Sequence, residues 1–258
     1  MGKTDMVYDL QKAGIWKRFA AWMFDAILMG ILAVGLGFLL SVLLGYNGYS
    51  ETVDRAYTRY GAEYGVTFEI TQSEYEAMSE EARQNYNDAY AALTADGEAM
   101  RAYNMMLTLS LVITTFGILL AILIWEFALP LALGNGQTLG KKIFSLGLIR
   151  SDGVRVNPMQ LFARAVLGKF AIETMIPVYI LLMLFWGTMD LTGTMVLFAL
   201  LAAEIICLIV TRTNSALHDL LAGTVVVDIG SQMVFRTTED LIAYQKKVAA
   251  ERAARQTY

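Results

Sequence analysis

Four long apolar stretches interrupt an otherwise mixed chain: Phe19–Leu44, Leu107–Leu133, Ala165–Trp186 and Leu191–Thr211. A hydrocarbon core of roughly 30 Å takes about 20 helical residues, so each stretch predicts a membrane-spanning helix. The first two exceed that length and are expected to tilt or project. Phe19–Leu44 runs for 26 residues, longer than a signal-peptide core, and no small-residue cleavage site follows, so it reads as a retained anchor. Small residues recur at four-residue spacing as Ala26/Gly30, Ala33/Gly37, Gly117/Ala121 and Ala199/Ala203. In lipid that spacing lets backbones approach, which predicts that these faces pack inward.

Between the spans the pattern changes. In segment 45–106, Thr71 and Glu74 form a capping-box signature, followed by apolar positions suited to one or two amphipathic helices through about Leu93. Asp96-Gly97 breaks that run before the chain re-enters the membrane. In segment 134–164, Lys142–Arg150 alternates, Asp152-Gly153 signals a tight turn and Val154–Val156 completes a small β-hairpin. Asn157-Pro158 reads as N-cap and first residue of the helix entering the third span. In the 212–258 tail, Leu217–Ala222 reads as a short helix stopped at Gly223. Thr224–Ile229 is a strand able to join the hairpin, and Thr238–Arg255 a polar helix. The expected fold is therefore an all-α membrane protein: a four-transmembrane-helix bundle with a helical extracytoplasmic insertion and a small cytoplasmic β-hairpin.

Charge supplies the orientation. Sixteen of the 20 basic residues lie in the 1–18 segment, the 134–164 loop with the start of the third span, and the tail. Segment 45–106 has four basic residues against eleven acids, a local charge of −7. The positive-inside rule then places both termini in the cytoplasm of a multi-pass bacterial plasma-membrane protein, with the acidic insertion outside. The formal charge of −4 is too mild to imply a nucleic-acid partner, and membrane lipids are the expected surroundings. The single cysteine, Cys207, excludes an internal disulfide, and one histidine cannot build a His/Cys metal cluster. No cofactor is expected.

Three blocks resemble a known family: "WKRFAAWMFDAIL", "GQTLGKKIFSLGLIRSDGVRVNPMQLFARAV" and "LHDLLAGTVVV" are similar to the RDD family of bacterial membrane proteins. That family is named for one arginine and two aspartates, matched here by Arg18, Asp25 and Asp219. The resemblance covers about Ile15–Leu44 and Leu107–Val227 and leaves out the acidic insertion. It implies the architecture more than an activity; for the family a transport role has been suggested.

One acid lies in each span: Asp25, Glu126, Glu173 and Glu204. Each is seven or eight residues from an end on the basic side, about 10 Å along a helix, so they are expected to form one layer. Facing lipid they would be costly, so they are expected to face each other or a wet cavity. Pro130 and Pro177 stand four residues after Glu126 and Glu173. A helical proline cannot donate to the carbonyl four residues back, which predicts freed carbonyls beside two carboxylates, a setting for H⁺ or a monovalent cation. The opposing reading is structural: Arg18 is expected to reach Asp25 and Asp219 as a clamp, while Arg164 and Lys169 neutralise the glutamates.

Weaker signals stay secondary. "GNGQTLGKK" lacks the first glycine and the hydroxyl of a phosphate loop, and Lys141 and Lys142 are expected to touch lipid phosphates instead. His218-Asp219 has no nucleophile nearby, so an enzyme is not expected and the pair reads as structural. Nine tyrosines between Tyr46 and Tyr103 fit either a binding surface or an aromatic-packed cap. Two functions remain: a transporter-like protein using the acidic layer, or a non-catalytic scaffold or regulatory subunit that recruits a membrane partner. Homo-oligomerisation would favour the first.

Overall fold

The structure, a computed structural model, describes residues 10–185, 187 and 191–256. Four helices are long and apolar enough to cross a membrane: Ile15–Leu43, Gly97–Leu133, Pro158–Leu184 and Leu191–Val210. The first three reach beyond the apolar stretches because polar and small residues at a membrane boundary continue the helical hydrogen bonds that hydropathy does not register. Large apolar side chains such as Ile31, Val34, Phe38, Phe198 and Ile209 are exposed, as a lipid-facing surface requires.

The chain divides into two compact units, residues 34–117 and residues 1–33 with 118–258. In the first, the insertion holds three helices, Tyr46–Tyr64, Gln72–Ala77 and Glu80–Ala95. Thr71 and Glu74 cap the second reciprocally, as their spacing predicts. Asp96 ends the third and its carboxylate accepts the N–H groups of Glu98 and Ala99 that open the next helix. The core here is small: Ala56, Leu93 and Ala99 with Tyr60 and Phe68 packed against them. Tyr57, Phe68, Tyr86 and Tyr75 continue it as a chain of ring contacts 5.1–5.9 Å apart.

The second unit surrounds a two-stranded antiparallel sheet. Strand β1 (Leu146–Arg150) pairs with β2 (Thr224–Asp228), Leu148 opposite Val226. This corrects the expected hairpin. The Asp152-Gly153 turn forms, with Gly153 N–H donating to Arg150 O at 3.0 Å, but the returning Val154–Val156 segment meets β1 in a single Ile149–Arg155 bridge and turns to Phe235 through Val154. The longer apolar register of β2 wins the pairing, because Val225, Val226 and Val227 are all buried there. Ala13, Ala21, Leu146, Leu148, Leu161 and Val226 form the adjoining core. Short helices Leu139–Ile143 and Leu217–Ala222 flank the strands in sequence, the second ended by Gly223 at φ 62°.

Inward packing of the small residues holds in part. Gly117 and Ala121 are buried, and Gly37 meets Ile113. Gly30 and Ala199 are exposed, with open space beside Gly30.

Candidate functional site

Two of the spans depart from α-helical geometry where they carry charge. Leu123–Ala128 in the second span and Arg164–Met175 in the third are π-helical. Pro130 and Pro177 follow each stretch by two residues. A proline cannot complete the i→i+4 ladder, and a switch to i→i+5 spacing is visible just before it: Leu129 N–H donates to Ile124 O and Ile176 N–H to Ala171 O. The consequence is angular. In an α-helix Arg164 and Lys169 would stand about 140° apart. At roughly 4.4 residues per π-turn, Arg164, Lys169 and Glu173 fall within about 50° of one another. The wide helix turns three charges to one face.

Arg164 is the hub. Its Nε donates to Asp219 at 2.9 Å, one terminal nitrogen donates to Glu126 at 2.7 Å, and the other lies 2.8 Å from His218 Nε2. Glu126 also accepts from Lys169 and lies 3.6 Å from Lys141 Nζ. It is thus ringed by three bases. Asp219 accepts in addition from Arg18 at 3.3 Å and from the Thr224 hydroxyl at 3.3 Å. Burial alone would raise the Asp219 carboxyl, but Arg164 and Arg18 among the surrounding charges hold it well below the usual carboxylate range. Burial lowers Lys141 to about 8, against the opposing pull of Glu126.

The clamp expected of Arg18 closes on one side only. Arg18 reaches Asp219 and the Thr213 carbonyl, and Asp25 is held by other groups. Trp125 Nε1 (3.0 Å), the Thr138 hydroxyl and Gly140 N–H (2.8 Å) all donate to its carboxylate. Asp25 therefore sits at the N-terminus of the Leu139–Ile143 helix, where exposed N–H groups favour an anion. Contact is close enough that a Cβ on Gly140 would stand 2.4 Å from Ala21 O. This explains the "GNGQTLGKK" segment without a ligand. Gly134, Asn135 and Gly136 turn through positive φ, Gln137 donates to Leu146 O, and Thr138 caps the helix laid against Asp25. Lys141, expected at lipid phosphates, is instead buried against Glu126; Lys142 stays exposed.

Glu173 and Glu204 form a third grouping. Each accepts a backbone N–H from the start of the Leu217–Ala222 helix: His218 N–H to Glu173 at 2.8 Å, Leu217 N–H to Glu204 at 3.2 Å. Ala216, the N-cap, has no side chain to do this. His218 Nδ1 lies 2.7 and 2.8 Å from the two Glu173 oxygens. One oxygen or nitrogen from each of Glu173, Glu204 and His218 lies within 4.8 Å of the other two. The helix seats tightly, since a Cβ on Gly168 would meet His218 Cβ at 2.5 Å. Burial, then Arg164, push His218 well below its ordinary value, so it is neutral.

The single layer expected of four acids thus separates into three sets: Asp25 with neutral donors, Glu126 with bases, and Glu173 with Glu204 and His218. Distinct local donors outcompeted mutual convergence because each buried carboxylate is stabilised most by the nearest N–H or cation. The sequence paired His218 with Asp219 rather than with Glu173 and Arg164, and gave no partner role to Thr138, Trp125 or Gly168. His218 and Thr138 stand within the family blocks; Trp125, beside Glu126, and Gly168 carried no signal apart from neighbouring charge.

A family model described as the RDD family matches residues 12–223. No curated protein and no solved structure matches the chain.

Proposed function

The chain belongs to the RDD family, and on that premise we propose that it is a proton-handling membrane protein, able to exchange a monovalent cation, whose working group is Glu173–Glu204 with His218. The carrying observation is that these two glutamates come from different spans, bring a carboxylate oxygen each within 4.8 Å of the other and of a His218 nitrogen, and have no Lys or Arg ion pair among the described contacts. Neighbouring carboxyl groups cannot both ionise cheaply in a partly dry site, so the pair holds one proton and can exchange it. Asp25, Glu126 and Asp219, saturated by other donors, serve as the frame. The charge asymmetry supports cytoplasmic termini and an outer insertion in a bacterial plasma membrane. Cysteines placed at exposed Glu63 and Asp152 test this: an impermeant reagent applied to intact cells should label the first and spare the second.

Function is tested by reconstitution in liposomes with a trapped pH indicator and an imposed Na⁺ or K⁺ gradient. Pyranine-type signals should report cation-dependent proton movement in the wild type, lost in Glu173→Gln with inserted protein at normal yield. Flux retained in Glu173→Gln and Glu204→Gln would overturn the reading. A second reading has its own observation: both glutamates accept N–H groups of the Leu217–Ala222 helix, which suits a static scaffold. That reading expects both variants to lose thermal stability, with no cation-dependent flux in any form.

A further inference from the structure

Glu173, Glu204 and His218 have the composition and spacing of a transition-metal site, and the hydrogen bonds around His218 argue against that use. We infer that Arg164 locks His218 in its Nδ1–H tautomer and thereby reserves the Glu173–Glu204 pair for protons and small monovalent cations, excluding divalent transition metals. This rests on the proton-handling reading of the same pair and specifies its ligand class.

The chain of donors is forced. A guanidinium only donates, so His218 Nε2, 2.8 Å from Arg164, must accept. A neutral imidazole then carries its proton on Nδ1, which donates to both oxygens of Glu173 at 2.7 and 2.8 Å. Glu173 also accepts the His218 main-chain N–H, so it already receives two donors as a carboxylate. For a metal to bind His218 at this site it needs the Nδ1 lone pair. Moving that proton to Nε2 would set an N–H against an Arg164 N–H, two donors face to face.

Neither partner can step aside. The other nitrogens of Arg164 are committed to Asp219 and Glu126, and a planar fork cannot release one arm alone. His218 is backed by Gly168, where a Cβ would stand 2.5 Å from His218 Cβ and 2.7 Å from its Cα. Metal-bound histidines ordinarily donate their far N–H to a carboxylate or carbonyl; here Nε2 meets the Arg164 guanidinium at 2.8 Å, while the Asp219 carboxylate stands beyond hydrogen-bond reach at 3.6 Å. Lys169, on the same π-helical face, adds positive charge, with Asp219 and Glu126 compensated beyond it. What remains open to a ligand is carboxylate oxygen, which suits a proton or a hard monovalent ion.

His218 is the single histidine of the chain, so isotope-labelled histidine reports this group alone. Wild-type protein in lipid nanodiscs, measured by nitrogen NMR, should show Nδ1 protonated and Nε2 unprotonated from about pH 6 to about pH 8. Excess Zn²⁺ should leave both signals unchanged. A protonated Nε2, or a metal-shifted Nδ1 on adding Zn²⁺, overturns the inference. Glu173→Gln keeps an accepting oxygen and should preserve the tautomer. A locked tautomer in protein that moves no protons leaves the lock and the exclusion of transition metals standing and removes the transport reading; proton flux together with zinc on Nδ1 does the reverse.

Discussion

In the unit built from residues 1–33 and 118–258, Arg164, Glu126 and Asp219 have side chains at most 3% exposed and are held by several partners each. In residues 34–117 the ion pairs sit at the surface: Arg83 with Glu80, whose side chain is 93% exposed, and Arg59, itself 59% exposed, with Asp96. Residues 34–117 hold 15 charged side chains in 84 residues and the other unit 29 in 174, so density of charge does not separate the two regions. Dielectric does. Water screens the insertion's pairs and leaves each close to neutral in stability. Inside the apolar unit the same groups are costly alone, and only a satisfied network makes them tolerable. The insertion instead depends on its ring contacts and helix caps.

The sharpest way to break this contrast is at the hub. Arg164→Met takes one base of three from Glu126, the nearer guanidinium from Asp219 and the donor from His218 Nε2, and should cost about 3–5 kcal/mol, read as a loss of folded protein in mixed-micelle denaturation. Arg164→Lys should recover little of it, since an ammonium cannot form the planar fork. Gly168→Ala places a methyl on His218 and should cost about 1–3 kcal/mol in the same assay. Survival at wild-type stability would show that the Leu217–Ala222 helix is not closely seated. Asp25→Asn removes the charge from three hydrogen bonds and should lower stability by about 1–2 kcal/mol.

The comparison also has a pH arm. Lys141 is lowered to about 8 when folded, against about 10.4 unfolded. Between those values the unfolded chain binds more protons, so stability of the unit that holds Lys141 should rise as pH increases through that window. Lys141→Met should remove the rise. Smallest of all is Arg83→Ala in the insertion. Its pair with Glu80 is exposed, and the change should shift stability by about 0–1 kcal/mol, with part of any loss coming from the Arg83 contacts to the Glu76 and Met78 carbonyls. A loss there as large as that of Arg164→Met would erase the distinction between the two regions.

Much of the frame was legible along the chain, for local reasons. Apolar length dictates the four spans, and the Thr71–Glu74 and Asn157–Gln160 caps act within one turn. Gly223 stops its helix by adopting a conformation glycine enters freely. The three family blocks pointed to Arg18, Asp25 and Asp219, and the membrane cost of acids singled out Glu126, Glu173 and Glu204.

Partner choice was decided elsewhere. Periodicity at 3.6 residues places Arg164 and Lys169 on different faces, and only the π-helical stretch before Pro177 aligns them. That β1 pairs with a strand 78 residues later, rather than with the adjacent Val154–Val156, depends on which apolar register buries more surface. That Asp25 takes Trp125, Thr138 and Gly140 while Arg18 turns to Asp219 depends on where the Leu139–Ile143 helix docks. A sequence determines which charges must be buried, because burial follows from hydrophobic length. Which charges meet is a matter of distances of a few ångströms between segments remote in the chain, and those exist only once the helices are packed.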